Sequence, residues 1–474
     1  MKRFLTLLLA LMLVLCAMLA FSACRSNDDD DDEYVVTFDS NGGSEVKKQR
    51  VDEGDLVREP EEPTKEGYHF NGWYDGDKKW SFDDDEVEKK TTLTARWSPI
   101  HYVINFSGAT CSPQAYTIED TLELPVGYPE GYYEFCGWYL DEAKTKPITK
   151  IEKGTTGDLT LYADTKYIGI LLAPSGEEYS VVGYDGKTPH IVIPSTYCGK
   201  KVTSITAIFG GSSLKSVIIP NGIKEIGSLA FFECTSLESI TIPGTITTIG
   251  DSAFAGCFSL KSATVANGVT ALGQEMFCAC TSLTRVSLPS TLTSIGDFAF
   301  SGCFALEEVK IPNGVTTIGN RAFTMTRIST IEIPDSVTSI GAHAFYDCNE
   351  LCQLVIGSGV RSIGEEAFYN CYSLTRLTIP SNVVSIGDRA FKACTRLREV
   401  VIENGVASIG AEAFYNCDAL KSITIPKSVT TMGGHVFEDC GSLMIYCEAE
   451  YLPNGWNPDW NPSYCYVEWG YEGQ

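Results

Sequence analysis

Basic residues are scarce in this chain: 36 Lys and Arg stand against 61 Asp and Glu in 474 residues, a formal net charge of −25. A surface that grips nucleic acid by neutralising phosphates is thereby excluded, and no nucleic-acid partner is expected. Histidine is rarer still, with five copies. The motifs of common enzymatic chemistry are missing: no His-Glu-x-x-His, no phosphate-binding loop, no Gly-x-Ser-x-Gly and no strand-following dinucleotide glycine pattern. The expectation is therefore no enzyme, no cofactor and no catalytic residues. Aromatics at 11% and hydrophobics at 44% exclude general disorder, while 43 Gly and 20 Pro are too few for collagen-like or Pro-rich chains. The length predicts roughly three folded domains.

Lys2 and Arg3 precede an apolar run from Phe4 to Phe21, followed by Ser22-Ala23-Cys24. A charged start, an apolar centre and small residues describe a cleavable export signal over residues 1–23. The alternative is an uncleaved anchor, because the run approaches the length of a spanning helix. The segment Phe21-Ser22-Ala23-Cys24 resembles the lipobox of bacterial lipoproteins, which implies that Cys24 is diacylated and that the chain is extracellular, anchored to the bacterial membrane. Residues 24–33, with Asp28 to Asp32 and Glu33, read as a self-repelling acidic tether. They lack the glycine turn and spaced ligands of a calcium loop, so no metal is expected. The terminal Gly470-Tyr471-Glu472-Gly473-Gln474 offers no hydrophobic tail, which leaves the N-terminus as the expected anchor.

Two similar segments follow. Tyr34-Val35-Val36-Thr37-Phe38 alternates like a strand and meets the turn Asn41-Gly42-Gly43; then come Gly67-Tyr68-His69-Phe70-Asn71-Gly72-Trp73-Tyr74 and the closing Leu93-Thr94-Ala95-Arg96-Trp97. The plan recurs at Tyr102 to Phe106, Gly131 to Tyr139 and Leu159 to Ala163. Residues 34–98 and 101–165 are two copies of one module, with Phe70, Trp73, Phe135 and Trp138 as expected core anchors. The Gly-Tyr-x-Phe-x-Gly-Trp-Tyr core resembles the internalin-type B-repeat of bacterial surface proteins. That resemblance implies a small β-grasp-like fold serving as a spacer or weak interaction module.

From about His190 the chain repeats with a period near 23. Pro220, Pro243, Pro289, Pro312, Pro334, Pro380 and Pro426 mark one column, and one residue is missing near Thr324-Met325-Thr326. In the unit Leu237 to Cys257, Ile240 and Ile242 have strand spacing, and Ala253-Phe254 sits in a short turn or helical segment. One unit cannot close a core, but stacked units bury their Leu, Ile and Phe columns continuously. The pattern Leu-x-x-Ile-x-Ile-Pro-x-x-Val-x-x-Ile-Gly-x-x-Ala-Phe-x-x-Cys resembles the BspA-type leucine-rich repeat. The expected fold is mainly β with short helical turns: a leucine-rich repeat solenoid over 166–447 behind two β-grasp-like modules, closed by an aromatic cap at 448–474.

Eighteen cysteines in an exported chain suggest disulfides, yet nine of them, from Cys234 to Cys440, fall on one repeat column and are read as buried apolar filler. Cys447 and Cys465, flanking the cap, are the one candidate disulfide. Cys278-Ala279-Cys280 has no phased His or acid to complete a metal site. His343 and His435 lie four coils apart, about 19 Å at strand spacing, and cannot share a metal. The outward strand positions form two columns, and their middle coils mix charge with apolar residues. Arg285, Ser287, Glu308, Lys310, Thr330, Glu332, Gln353, Arg376, Thr378 and Glu399 are the candidate ligand-binding residues; the alternative is an ordinary solvated β face. The expected function is a surface adhesin or receptor for a protein or glycan, on host matrix or another cell. The second reading is an envelope scaffold without a host ligand.

Overall fold

A computed structural model describes residues 33–472 apart from Ser212. The export signal, Cys24 and nearly all of the acidic tether lie outside the described residues. By its contacts the chain forms two compact units. The first holds 33–106, Ser112–Leu124 and Leu140–Leu161; the second holds Ser107–Cys111, Pro125–Tyr139 and 162–472. The described residues form strands and turns with no helix, so no helix among them is long and apolar enough to cross a membrane.

The first module is a five-stranded sheet of β1 (Glu33–Asp39), β2 (Gln49–Asp52), β3 (Tyr68–Asp75), β4 (Lys78–Lys79) and β5 (Thr91–Pro99), in the order β2-β1-β5-β3-β4. The central pair β1 and β5 is parallel and the outer pairs are antiparallel, a β-grasp-like sheet whose β2–β3 connection is loop. Alternation along β1 and β5 turns Val36, Phe38, Leu93 and Ala95 inward, onto Trp73. Phe38 and Phe70 meet Trp73 edge-on at 4.9 and 5.5 Å, so Trp73 is the anchor its sequence position predicts. Gly72, at φ +117°, takes up a register shift between Phe70 and Trp73 that a side chain would resist. In the second segment Trp138 is equally buried and packs Phe135 at 5.1 Å.

The solenoid core runs without a break from Ile170 to Trp460. Each regular coil has three parts. A long strand such as Ser239–Ile242 or Arg376–Ile379 lies parallel to its neighbour one coil away. A short strand follows; nine of these, from Ala271–Leu272 to Gly455–Trp456, make one continuous parallel sheet that the periodicity alone did not suggest. Its signal was the glycine after each Ile. At Gly387 an added Cβ would stand 2.6 Å from the backbone of the preceding coil, closer than any side chain allows.

The third part is the Ala-Phe corner, which is a turn rather than a helical segment. Its alternate N–H groups donate to the next coil, as Phe254 does to Met276 O at 3.0 Å and Gly256 to Cys278 O at 2.8 Å. Positive φ at Ser252 and Gly256 aims them there, so an i→i−4 helical ladder cannot form. Within the corner, Phe rings from Phe209 to Phe437 stack at 4.8–5.8 Å. Tyr184 covers one end of this column, and Trp460 stands edge-on at the other, 6.1 Å from Phe437. Trp456 and Trp460 are buried, so the aromatic tail continues the coil pattern and closes its core.

Candidate functional site

The nine phased cysteines are all buried. Each thiol donates to the Phe carbonyl of the coil before it, for example Cys257 to Phe231 O at 3.2 Å and Cys440 to Phe414 O at 3.1 Å. Burial pushes the Cys394 thiol up to about 12 and Cys371 well above its ordinary value. A thiol so protonated is a poor nucleophile or metal ligand, so the ladder is core. Cys447 and Cys465 carry free thiols; Cys447 sits in the strand Met444–Cys447 opposite Trp469, and Cys465 is half-buried just before the strand Tyr466–Trp469. Among the described residues no group of three or more His, Cys, Asp or Glu is arranged to hold a metal ion. His343 pairs with Glu366 at 3.1 Å and His435 with Glu438 at 2.8 Å, on separate coils.

The structure places all ten candidate face residues outward on the long-strand side. Arg285, Glu308, Thr330, Gln353, Arg376 and Glu399 form one column; Ser287, Lys310, Glu332 and Thr378 belong to the other. Register sets Thr330 beside Gln353 and Arg376 beside Glu399, and the last two form an ion pair at 3.2 Å. Among the described residues Arg285, Glu308, Lys310 and Glu332 enter no ion pair.

The long-strand ladder parts between Ser216–Ile218 and Ser239–Ile242, between Gln353–Ile356 and Arg376–Ile379, and around residues 308–311, where a whole coil drops out of it. One sheet ends at Arg285–Ser287 and the next begins at Thr330–Ile333. Residues 308–311 between them are held by a single bridge, Arg285 to Glu308. Clefts open on both sides of this loosened strand. One, of about 510 Å³, is lined by Val286, Ser287, Leu288, Ser290, Lys310, Pro312, Asn313 and Gly314. The other, of about 350 Å³, is lined by Glu308, Val309, Lys310, Ile311, Asn313, Thr330, Glu332 and Pro334. Val286 and Leu288 stay half-buried where the matching Ala263 and Val265 are covered, giving an apolar floor beneath a charged rim, the usual make-up of a ligand cleft.

Five of the ten candidates, Ser287, Glu308, Lys310, Thr330 and Glu332, thus gather at one place. Gln353, Arg376, Thr378 and Glu399 extend the same face beyond it, and Arg285 carries the bridge. Sequence reasoning missed the floor residues Val286 and Leu288 and the loop residue Asn313. The available signal was the drop in period between Glu308 and Thr330, 22 residues instead of 23.

Parallel coils of this length, each with a long strand, a short strand and a Phe-x-x-Cys corner, define a leucine-rich repeat solenoid that presents its strand face to solvent. The family model described as BspA type leucine rich repeat region matches residues 204–328 and 316–444, over half of the chain; the chain belongs to this family. The Listeria-Bacteroides repeat domain matches residues 34–96 and 100–164. Internalin H of Listeria monocytogenes is 37% identical over 139 residues, 27% of this chain and 24% of that protein. A putative Gly-rich membrane protein of Evansella cellulosilytica is 34% identical over 136 residues, 27% of this chain and 16% of that one. The chain therefore spans a quarter or less of these curated relatives. Among solved structures, a leucine rich cell surface protein from Faecalibacterium prausnitzii is 28% identical with a TM-score of 0.41, over 65% of this chain and 94% of that one.

Proposed function

We propose that this protein is a cell-surface adhesin or receptor that binds a protein or glycan ligand on its long-strand face, centred on Glu308 to Ile311. The observation that carries this reading is the break in the strand ladder. It opens two clefts where unpaired charge and half-buried apolar side chains meet. A membrane setting is supported by the similarity to a putative membrane protein of Evansella cellulosilytica. The lipobox-like Cys24 would supply the lipid anchor, and residues 34–98 and 101–165 would act as spacers that carry the solenoid, 166–447 with its cap 448–474, away from the membrane. The envelope-scaffold reading predicts instead that the strand face has no ligand.

The test is binding of the full chain and of the variant Arg285→Ser/Lys310→Thr/Glu332→Thr/Arg376→Ser to immobilised matrix proteins and glycans at physiological salt. Saturable binding by the parent, lost in a variant with unchanged melting, is expected. Binding that survives all four replacements would remove the ligand from this face, and silence from the parent would favour the scaffold.

A further inference from the structure

The shortened coil has a second consequence, on the edge that carries the Cys-x-x-Leu corners: we propose that this edge holds a subsite for a short neutral oligosaccharide, between Phe304 and Tyr372. In a regular coil two residues separate Cys from Leu, and the Leu N–H closes on the Cys carbonyl. Leu306 to Cys303 and Leu351 to Cys348 do so at 3.0 Å. In the coil between them Thr326 stands at the Cys position, and Arg327 alone separates it from Ile328. The deletion therefore falls at the corner, which retracts while its neighbours still project Phe304-Ala305 and Asn349-Glu350.

The result is a dent of about 410 Å³. Phe304 and Tyr372 stand at its two ends with 52% and 39% of their surface open to solvent. They lie three coil steps apart, about 14 Å at strand spacing, a span suited to a short oligosaccharide. Thr326, Arg327 and Asn349 line the space between. The Thr326 hydroxyl is already spent on Phe323 O at 3.0 Å. Asn349 is not: its Oδ1 is sheltered and has no hydrogen-bond partner, an acceptor that a ligand hydroxyl can satisfy once the amide turns.

Exposed aromatic side chains flanking planar polar groups suit a ligand with an apolar ring face and a hydroxyl rim. Apart from Phe304, Met325 and Tyr372 the lining is polar, which gives a peptide side chain little apolar surface to anchor on. Asp347 and Glu350 outnumber Arg327 around the dent, and the chain carries −25 overall, so an anionic sugar is disfavoured. Phe258 supplies the internal control. It occupies the same column with 45% of its surface exposed, but its own corner and the next are regular, closed by Leu260 to Cys257 and Leu283 to Cys280 at 3.0 Å.

The experiment titrates the full chain with cellotriose, xylotriose, mannotriose and chitotriose, read by saturation-transfer NMR and calorimetry. At least one is expected to bind saturably. Phe304→Ala/Tyr372→Ala, at two exposed positions, should weaken that binding tenfold or more without moving the melting temperature. Phe258→Ala and the strand-face variant should bind like the parent, which separates this site from the one proposed above. The proposal is overturned if none of the four sugars saturates, if the double variant binds like the parent, or if Phe258→Ala loses binding to the same degree.

Discussion

From Phe345 to Phe437 the core of each coil copies the last. The rings stack 5.1–5.8 Å apart, and Cys371, Cys394, Cys417 and Cys440 each reach back to a Phe carbonyl at 3.1–3.4 Å. Between Cys303 and Cys348 the copying fails at the surface: one residue is missing, Thr replaces Cys, and residues 308–311 form no long strand at all. The core runs through regardless, with Phe323 stacked at 5.3 and 5.1 Å on its neighbours. A solenoid is a nearly one-dimensional stack in which each coil answers only to the next. The core columns therefore cannot change without cost, whereas a corner can lose a residue and leave the stack closed. Identity between coils makes the structure, and the local departure makes the candidate sites.

Alkaline pH should separate the two regions most sharply, because it acts on the thiols of Cys348, Cys371, Cys394, Cys417 and Cys440 at once. Burial disfavours the thiolate, so the folded value of Cys394 and Cys348 is raised to about 12, against about 8.5 for an exposed thiol. Below that lower value the stabilisation is fully present. As pH rises from there toward 12 the unfolded chain releases protons that the folded chain keeps, and stability falls. The slope is at most about 1.4 kcal/mol per thiol per pH unit. Urea unfolding at pH 8, 9 and 10 should show this loss, and Cys371→Ala/Cys394→Ala/Cys417→Ala should flatten it. An unchanged slope in the triple variant would mean that other groups dominate the alkaline response. Thr326, which cannot titrate here, exempts its coil.

Among single substitutions, Phe345→Ala should cost the most, about 3–5 kcal/mol, since the ring is fully buried with a stacked neighbour on each side. A melting curve matching the parent would mean the column tolerates a gap. Gly387→Ala should cost less, about 1–3 kcal/mol, by forcing a methyl against Glu365 N and Gly364 C. If Gly387→Ala unfolds like the parent, adjacent coils can part without penalty, and the tight packing assigned to the regular region is wrong.

The repeat, its phase and its strand face were legible in the sequence because stacking imposes a fixed period on Ile, Phe and Cys. The module anchors Trp73 and Trp138 were legible for a related reason: a small sheet has room for few large rings, and their spacing to Gly72 and Gly137 recurs. The short-strand sheet was harder to see. Two-residue strands such as Ser385–Ile386 leave no alternation, and only the following glycine reports the backbone approach. The clefts could not be read from outward-facing residues alone, since Val286 and Leu288 become part of a surface only because residues 308–311 leave the ladder. The missing residue near Thr326 was visible; which surfaces would absorb it depends on packing in three dimensions.

The smallest expected effect bears most directly on the strand face. Arg376 and Glu399 pair at 3.2 Å with 82% and 59% of their side chains exposed, and such a pair contributes about 0.2–1 kcal/mol once screening and side-chain entropy are counted. Arg376→Ser should therefore lower stability by less than about 1 kcal/mol in denaturant unfolding, several-fold less than Phe345→Ala two coils before it. Its neighbours toward the break, Arg285, Glu308, Lys310 and Glu332, lack even that partner and should matter less still. If Arg376→Ser costs as much as a core change, the face charges are holding coils together, and the strand face loses its standing as a surface kept free for a ligand. If the cost is as small as expected, folding does not account for these charges, and an external partner becomes the stronger explanation for their place in the repeat.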